Sequence, residues 1–84
     1  MNKGEWAVRL HMAVADMILT LPKSSIQQIH KALDSLQSEP NPSSSRIVPG
    51  MMNGYEIEAG NFRIVYQVEE TKRQVNVIVL TLSF

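Results

Sequence analysis

The sequence predicts an α+β domain in which two helices pack on one face of an antiparallel β-sheet. Alternating apolar residues on both sides of Gly60-Asn61 predict a β-hairpin. An apolar stripe at helical spacing upstream predicts an amphipathic helix, and a β-branched run near the end predicts a central strand. The chain has 84 residues, which suits one domain over residues 1–84.

The first half of the chain predicts a strand followed by a helical hairpin. Residues 6–10 alternate large apolar with smaller or charged side chains and predict a short strand. Residues 11–21 are rich in Ala, Met and aliphatic residues, as in a buried helix, and Pro22 ends it because a residue before proline avoids the helical region. We expect Ser24 or Ser25 to cap a second helix, with Gln28 completing a capping box. Its apolar stripe consists of Ile26, Ile29, Leu33 and Leu36.

The second half predicts a three-stranded meander. Residues 38–49 carry three prolines and four serines and predict the crossing from helices to sheet. If Gly60 and Asn61 form a two-residue turn, residues whose numbers sum to 121 face each other, so Glu58 lies opposite Arg63. One face of the hairpin is then apolar and holds Tyr55, Ile57, Ala59, Phe62, Ile64, Tyr66 and Val68. The opposite face holds Glu56, Glu58, Arg63, Val65 and Gln67.

The last predicted strand covers residues 74–82. It is β-branched or apolar at nearly every position, which favours a central strand covered on both faces. We expect Tyr55 and Tyr66 to serve the core rather than chemistry. His30 is expected at the surface, and His11 opens the first helix without matching a catalytic pattern.

Composition excludes several classes of protein. There is no cysteine and only two histidines, far apart, so neither a disulfide nor a metal site is expected, and no motif predicts a cofactor. Eight basic and eight acidic residues cancel, whereas proteins that grip nucleic acid usually carry a basic excess. No apolar run predicts a membrane span or a signal peptide, so we expect a cytoplasmic protein without a membrane partner.

The order of these motifs resembles the RelE/ParE superfamily of toxins. The resemblance rests on Trp6-x-Val8, the helix ending at Leu21-Pro22, the Ile26…Leu33…Leu36 helix and, most specifically, Gly54-Tyr55-x-Ile57…Gly60-x-Phe62-Arg63-Ile64-Val65-Tyr66-Gln67-Val68. It covers almost the whole chain. It implies a RelE-like fold and the role of toxin in a bacterial type II toxin–antitoxin pair, with a cognate antitoxin as partner.

The resemblance also implies where chemistry would take place. RelE-like members cleave mRNA in the ribosomal A site, by attack of a 2′-hydroxyl on the adjacent phosphate, with basic residues on the concave sheet face. Arg63 matches the hairpin arginine of that family, and Arg46 is a candidate replacement cation. Glu56 and Glu58 stand where lysines are common, and Gln67 is their neighbour on that face. Residues 81–84 do not supply the family's C-terminal arginine and tyrosine, so the expected site is atypical and attenuated.

Three functions therefore remain open from the sequence. The first is a ribosome-dependent mRNA endoribonuclease with an altered site around Arg63 and Arg46, whose partners include ribosome and mRNA. The second is a ParE-type toxin that acts by binding gyrase. The third is a degenerate relative that binds an antitoxin without catalysis.

Overall fold

The chain folds into a five-stranded mixed sheet with two helices, as seen in a computed structural model that describes residues 6–82. In chain order the elements are β1 (Ala7–Leu10), α1 (Met12–Ile18), α2 (Lys23–Ser38), β2 (Arg46–Ile47), β3 (Gly54–Ala59), β4 (Phe62–Glu69), a 3-10 turn (Glu70–Lys72) and β5 (Gln74–Leu82). The strand order is β1-β5-β4-β3-β2, with β1 parallel to β5 and the other pairs antiparallel. The predicted strand, helical hairpin and meander are confirmed, while the two-residue strand β2 was not predicted.

The hairpin of β3 and β4 has the register that its turn predicts. Ala59 pairs with Phe62 and Glu58 with Arg63, and every pair from Gly54–Gln67 onward follows the same register. Gly60 has φ of +63°, which glycine adopts at no steric cost. Because Asn61 has no positive φ, the turn has the pattern of type II′, whose twist matches that of the flanking strands.

The two helices differ in how their first turns are capped. Nδ1 of His11 accepts a hydrogen bond from the Ala13 N–H at 3.1 Å, so His11 caps α1. The prediction that Ser24 or Ser25 caps α2 was wrong: Pro22, with extended ψ of 155°, precedes the first helical residue and α2 has no side-chain cap. Both serines therefore lie inside the first turn. Neither helix among residues 6–82 is long and apolar enough to cross a membrane.

Both helices lie on the same face of the sheet and form the core with it. The buried residues are Val14, Ile18, Ile29, Leu33, Leu36, Ile57, Ala59, Phe62, Ile64, Tyr66, Val68, Val75, Val77 and Leu80. They include six of the seven apolar hairpin residues predicted from alternation, and Tyr55, the seventh, packs half-buried against them. We call the opposite side of the sheet the open face, because no helix of residues 6–82 covers it.

A β-bulge in β5 changes which of its residues reach the open face. Val65 pairs with Val79 but Tyr66 pairs with Val77, so Ile78 is an extra residue in β5. The bulge reverses the alternation: Val77 and Leu80 both face the core, and Val79 turns to the open face with 40% of its surface exposed. The expectation that β5 is covered on both faces was therefore wrong, although β5 does lie inside the sheet.

The hydroxyl of Tyr66 ties β4 to the segment that follows α2. It donates a hydrogen bond to the Pro40 carbonyl oxygen at 2.7 Å, and the residue is fully buried. Desolvation by burial raises the pKa of Tyr66 from 10.0 to about 12, against a smaller lowering by a hydrogen bond with Ser45. The predicted core role of Tyr66 is confirmed.

Stability is expected to fall in alkali because of Tyr66. The folded state holds the phenol proton more tightly than the unfolded state, so this contribution is complete below the unfolded pKa near 10 and is lost as pH rises through the folded value of about 12. A shift of this size corresponds to roughly 2–3 kcal/mol. Urea unfolding of the wild type and of Tyr66→Phe from pH 9 to pH 12 should show a steeper decline for the wild type. Parallel declines would contradict the assignment.

Candidate functional site

Four charged side chains meet on the open face, near the edge of the sheet formed by β2. Arg46 of β2 pairs with Glu56 of β3, and Glu56 in turn pairs with Val65 of β4. Glu58, two residues along β3, pairs with Arg63 of β4. Since residues two apart on a strand share a face and paired residues lie side by side, the fold brings these four side chains together. We call Arg46, Glu56, Glu58 and Arg63 the charge network.

Glu56 is the centre of the charge network. Its Oε2 lies 3.6 Å from Nε of Arg46 and its Oε1 lies 3.6 Å from Nε of Arg63. The second guanidinium nitrogen of Arg46, Nη2, lies 3.4 Å from Oε2 of Glu58. Each arginine therefore has a carboxylate partner, and Arg46 has two. Glu58 lies directly across from Arg63, as the sequence predicts, and Arg63 also forms an ion pair diagonally with Glu56.

The side chains of the charge network differ in solvent exposure, from Arg46 at the edge of the sheet to Glu56 further inside. The Arg46 side chain is 64% exposed, whereas that of Glu56 is 20% exposed. Nε of Arg63 is itself buried and makes no hydrogen bond, because 3.6 Å to Glu56 is too long for one. A buried donor without an acceptor is unfavourable. The part of Arg63 that a ligand can reach is the remainder of its side chain, which is 40% exposed.

Gln67 shares the open face with the charge network but not its contacts. It lies four residues from Arg63 on β4, and its Nε2 donates to the Met52 carbonyl oxygen at 3.2 Å. Opposite it on β5 stands Asn76, whose Nδ2 donates to Oε1 of Glu69 at 3.2 Å. The structure thus unites the four predicted charged residues and places the fifth predicted neighbour in a separate polar group.

Asn76 and Val79 are residues of the open face that were not predicted from the sequence. Asn76 stands out as the one amide within the apolar run of residues 75–82, a signal that was present in the sequence. Val79 gave no such signal, because a bulge between two apolar residues leaves the hydrophobic pattern unchanged. His30 is exposed on α2 as expected, and Trp6 packs against the core with the Arg73 guanidinium 5.1 Å above its ring.

Chemically, the site offers two guanidinium groups that already have partners. Arg46 and Arg63 can each offer a phosphate two N–H donors, but only if Glu56 moves aside. The carboxylates also repel a phosphate at short range. Within residues 6–82, no three His, Asp or Glu side chains lie close enough together to hold a metal ion.

The architecture around this site is that of a RelE toxin, as comparison with solved structures shows. An archaeal RelE–RelB complex from Pyrococcus horikoshii matches with a TM-score of 0.82 and 22% identity, over 92% of this chain and 93% of that chain. The isolated RelE toxin of E. coli matches at 0.81 and 22% identity, over 94% and 85% of the two chains. A RelBE toxin–antitoxin complex of Mycobacterium tuberculosis matches at 0.79 with 14% identity, over 92% and 96%.

These likenesses establish the RelE fold and confirm, at the level of fold, the resemblance seen in the sequence. No protein-family model matches the sequence. No curated protein matches it either.

Proposed function

We propose that this chain is the toxin of a type II toxin–antitoxin pair and acts as a RelE-like, ribosome-dependent mRNA endoribonuclease with an attenuated site. The observation that carries the proposal is the placement of Arg63 and Arg46 together on the open face of a RelE fold. The solved structures that support the pairing with an antitoxin are named as RelE–RelB and RelBE complexes.

The proposed reaction makes a few demands on the protein. The 2′-oxygen attacks the adjacent phosphorus, the bond to the 5′-oxygen breaks, one group takes the 2′-hydroxyl proton and another protonates the leaving oxygen. Charge accumulates on the phosphate oxygens in the transition state, and preorganised cations stabilise it. We assign that stabilisation to Arg63, which β4 fixes within the sheet, and an assisting role to the exposed Arg46. Groups of the ribosome supply the remaining proton transfers.

The charge network is the reason why we expect RNA cleavage at this site to be attenuated. Glu56 holds both arginines at 3.6 Å, so a phosphate must compete with a carboxylate that is already in place. Because the two glutamates cancel the two arginines, the network carries no net charge to attract RNA from a distance. The ribosome, which presents the mRNA at high local concentration, reduces the need for such attraction.

The first test is to map new mRNA 5′ ends within minutes of inducing the chain alone in bacteria. We expect ends inside translated codons, in phase with the reading frame, and fewer of them when the cells also express an antitoxin. Growth arrest without new ends would favour gyrase poisoning. Normal growth without new ends would favour a non-catalytic relative, and either result would overturn the proposed cleavage.

A further inference from the structure

Next to the charge network, the open face carries an apolar pair followed by a pair of amides. Val65 lies two residues from Arg63 on β4, and the bulge places Val79 beside it. Gln67 lies two residues further along β4, and Asn76 is its direct partner on β5. Successive steps of two residues measure about 7 Å along a strand. A single nucleotide spans one such step between its phosphate and its base.

From this arrangement we propose that Val65, Val79, Gln67 and Asn76 form a binding surface for one nucleobase of single-stranded RNA, whose phosphate lies at Arg63. We call these four residues the base platform. The inference rests on the proposed function, because it assigns a subsite for that RNA. It adds the residues that would determine which base is accepted.

The valine pair suits the flat face of a base. Val79 is 40% exposed although it is a large apolar residue inside the sheet, and Val65 beside it is half-buried. Apolar surface that a ligand removes from water favours binding. The bulge that exposes Val79 is a local feature of the kind that re-aims side chains beside functional sites. Without Ile78 as the extra residue, Val79 would face the core with Val77.

The amide pair suits the edge of a base. The Met52 carbonyl and the Glu69 carboxylate only accept hydrogen bonds, so the nitrogen of each amide must face its protein partner. The oxygen and the second N–H of each amide are thereby left for a ligand. Gln67 and Asn76 also line one open pocket of about 250 Å³, together with Met52, Asn53, Val68 and Glu69.

The direction of base preference follows from this combination of an acceptor and a donor. An amide that offers both pairs bidentately with the N6 amino group and N7 of adenine. We therefore expect the base platform to favour adenine over uracil. A good base-edge contact discriminates by about tenfold.

The test uses the full chain and two short RNA probes. Fluorescence anisotropy should give the wild type about tenfold tighter binding to a hexamer of adenosine than to one of uridine. Gln67→Ala combined with Asn76→Ala should bring the two hexamers within about twofold of each other. The control is Gln27→Ala with Gln37→Ala, which removes two exposed amides from α2 and should keep the wild-type preference.

A second variant keeps the test independent of the amides. Val79→Ser leaves the hydrogen bonds of Gln67 and Asn76 in place and should weaken both hexamers by roughly fivefold. Unfolding midpoints near that of the wild type establish that each variant folds. Equal binding of the two hexamers by the wild type, or an unchanged preference in the amide variant, would overturn the base platform.

Cleavage maps separate this inference from the proposed function. One outcome is that the amide variant still makes in-frame ends, with the same bases at its cleavage sites as the wild type. That result would overturn the base platform and leave the proposed ribonuclease activity supported. Conversely, the wild type could prefer the adenosine hexamer, with the amide variant losing that preference, while no in-frame ends form in cells. That result would support the base platform and overturn the proposed ribonuclease activity.

Discussion

Replacing Arg63 with alanine is expected to reduce in-frame mRNA cleavage by about two to three orders of magnitude, the usual effect of removing one preorganised group that stabilises transition-state charge. The reason lies in its position. Arg63 is fixed on β4 within the sheet and its side chain is 40% exposed, against 64% for Arg46, so it is the more firmly held of the two cations that a phosphate oxygen can reach. Quantitative mapping of mRNA 5′ ends after induction measures the loss, and growth of the same cultures should recover.

Two companion variants identify the cause of that loss. Arg63→Lys keeps the positive charge but not the two-pronged geometry, and we expect it to retain an intermediate rate. Lys23→Ala removes a cation from the exposed start of α2, on the helix side of the sheet, and should cleave like the wild type. Wild-type cleavage by Arg63→Ala would contradict the role assigned to Arg63.

Where a short-range rule was decisive, the sequence was sufficient to predict the fold. Gly60-Asn61 fixes the register of β3 and β4, and from that register follow the two faces and the buried position of Tyr66. Side-chain alternation then places Glu56 and Arg63 on one face. The same reasoning placed the stripe of α2 against the sheet.

Where a long-range contact decides the outcome, the sequence was not sufficient. Strand β2 is two residues long and forms because it pairs with β3, so no periodic pattern in the sequence predicts it. That pairing is what brings Arg46 to Glu56. The parallel pairing of β1 with β5 is likewise set by packing, since the two strands are more than sixty residues apart. The cap of α2 was misread because Pro22 occupies the position that Ser24 or Ser25 was expected to take.

The ion pairs of the charge network show how a correct register still leaves the contacts of side chains undetermined. Glu58 faces Arg63 across the ladder, yet Glu58 reaches toward Arg46 while Glu56 reaches diagonally to Arg63. Long side chains select among neighbours within a few ångströms on the basis of all the charges present. Arg46, supplied by β2, changes that balance, and β2 was missing from the prediction.

Substituting Glu56 and Glu58 together with lysine is expected to raise in-frame cleavage by about tenfold or more, because the change makes a neutral network more positive by four charges. Arg46 and Arg63 lose the carboxylates that hold them, and two further cations face the phosphate. Binding of a single-stranded RNA should also depend more steeply on salt, by about 0.7 in the log–log slope for each additional phosphate that the variant neutralises. Cleavage maps and salt-dependent anisotropy measure the two effects.

Two control variants distinguish the release of Arg46 and Arg63 from their carboxylate partners from a change in the net charge of the protein. Asp16→Lys with Asp34→Lys gives the same change in net charge on exposed helical positions, and it should leave cleavage near the wild-type level. Glu56→Gln with Glu58→Gln releases both arginines without adding cations and should reach an intermediate rate. If the lysine variant cleaved no better than the wild type, the carboxylates would not be what attenuates the site. An equal increase in the helical control would instead assign the effect to net charge, since only a local mechanism requires that the substituted acids touch Arg46 and Arg63.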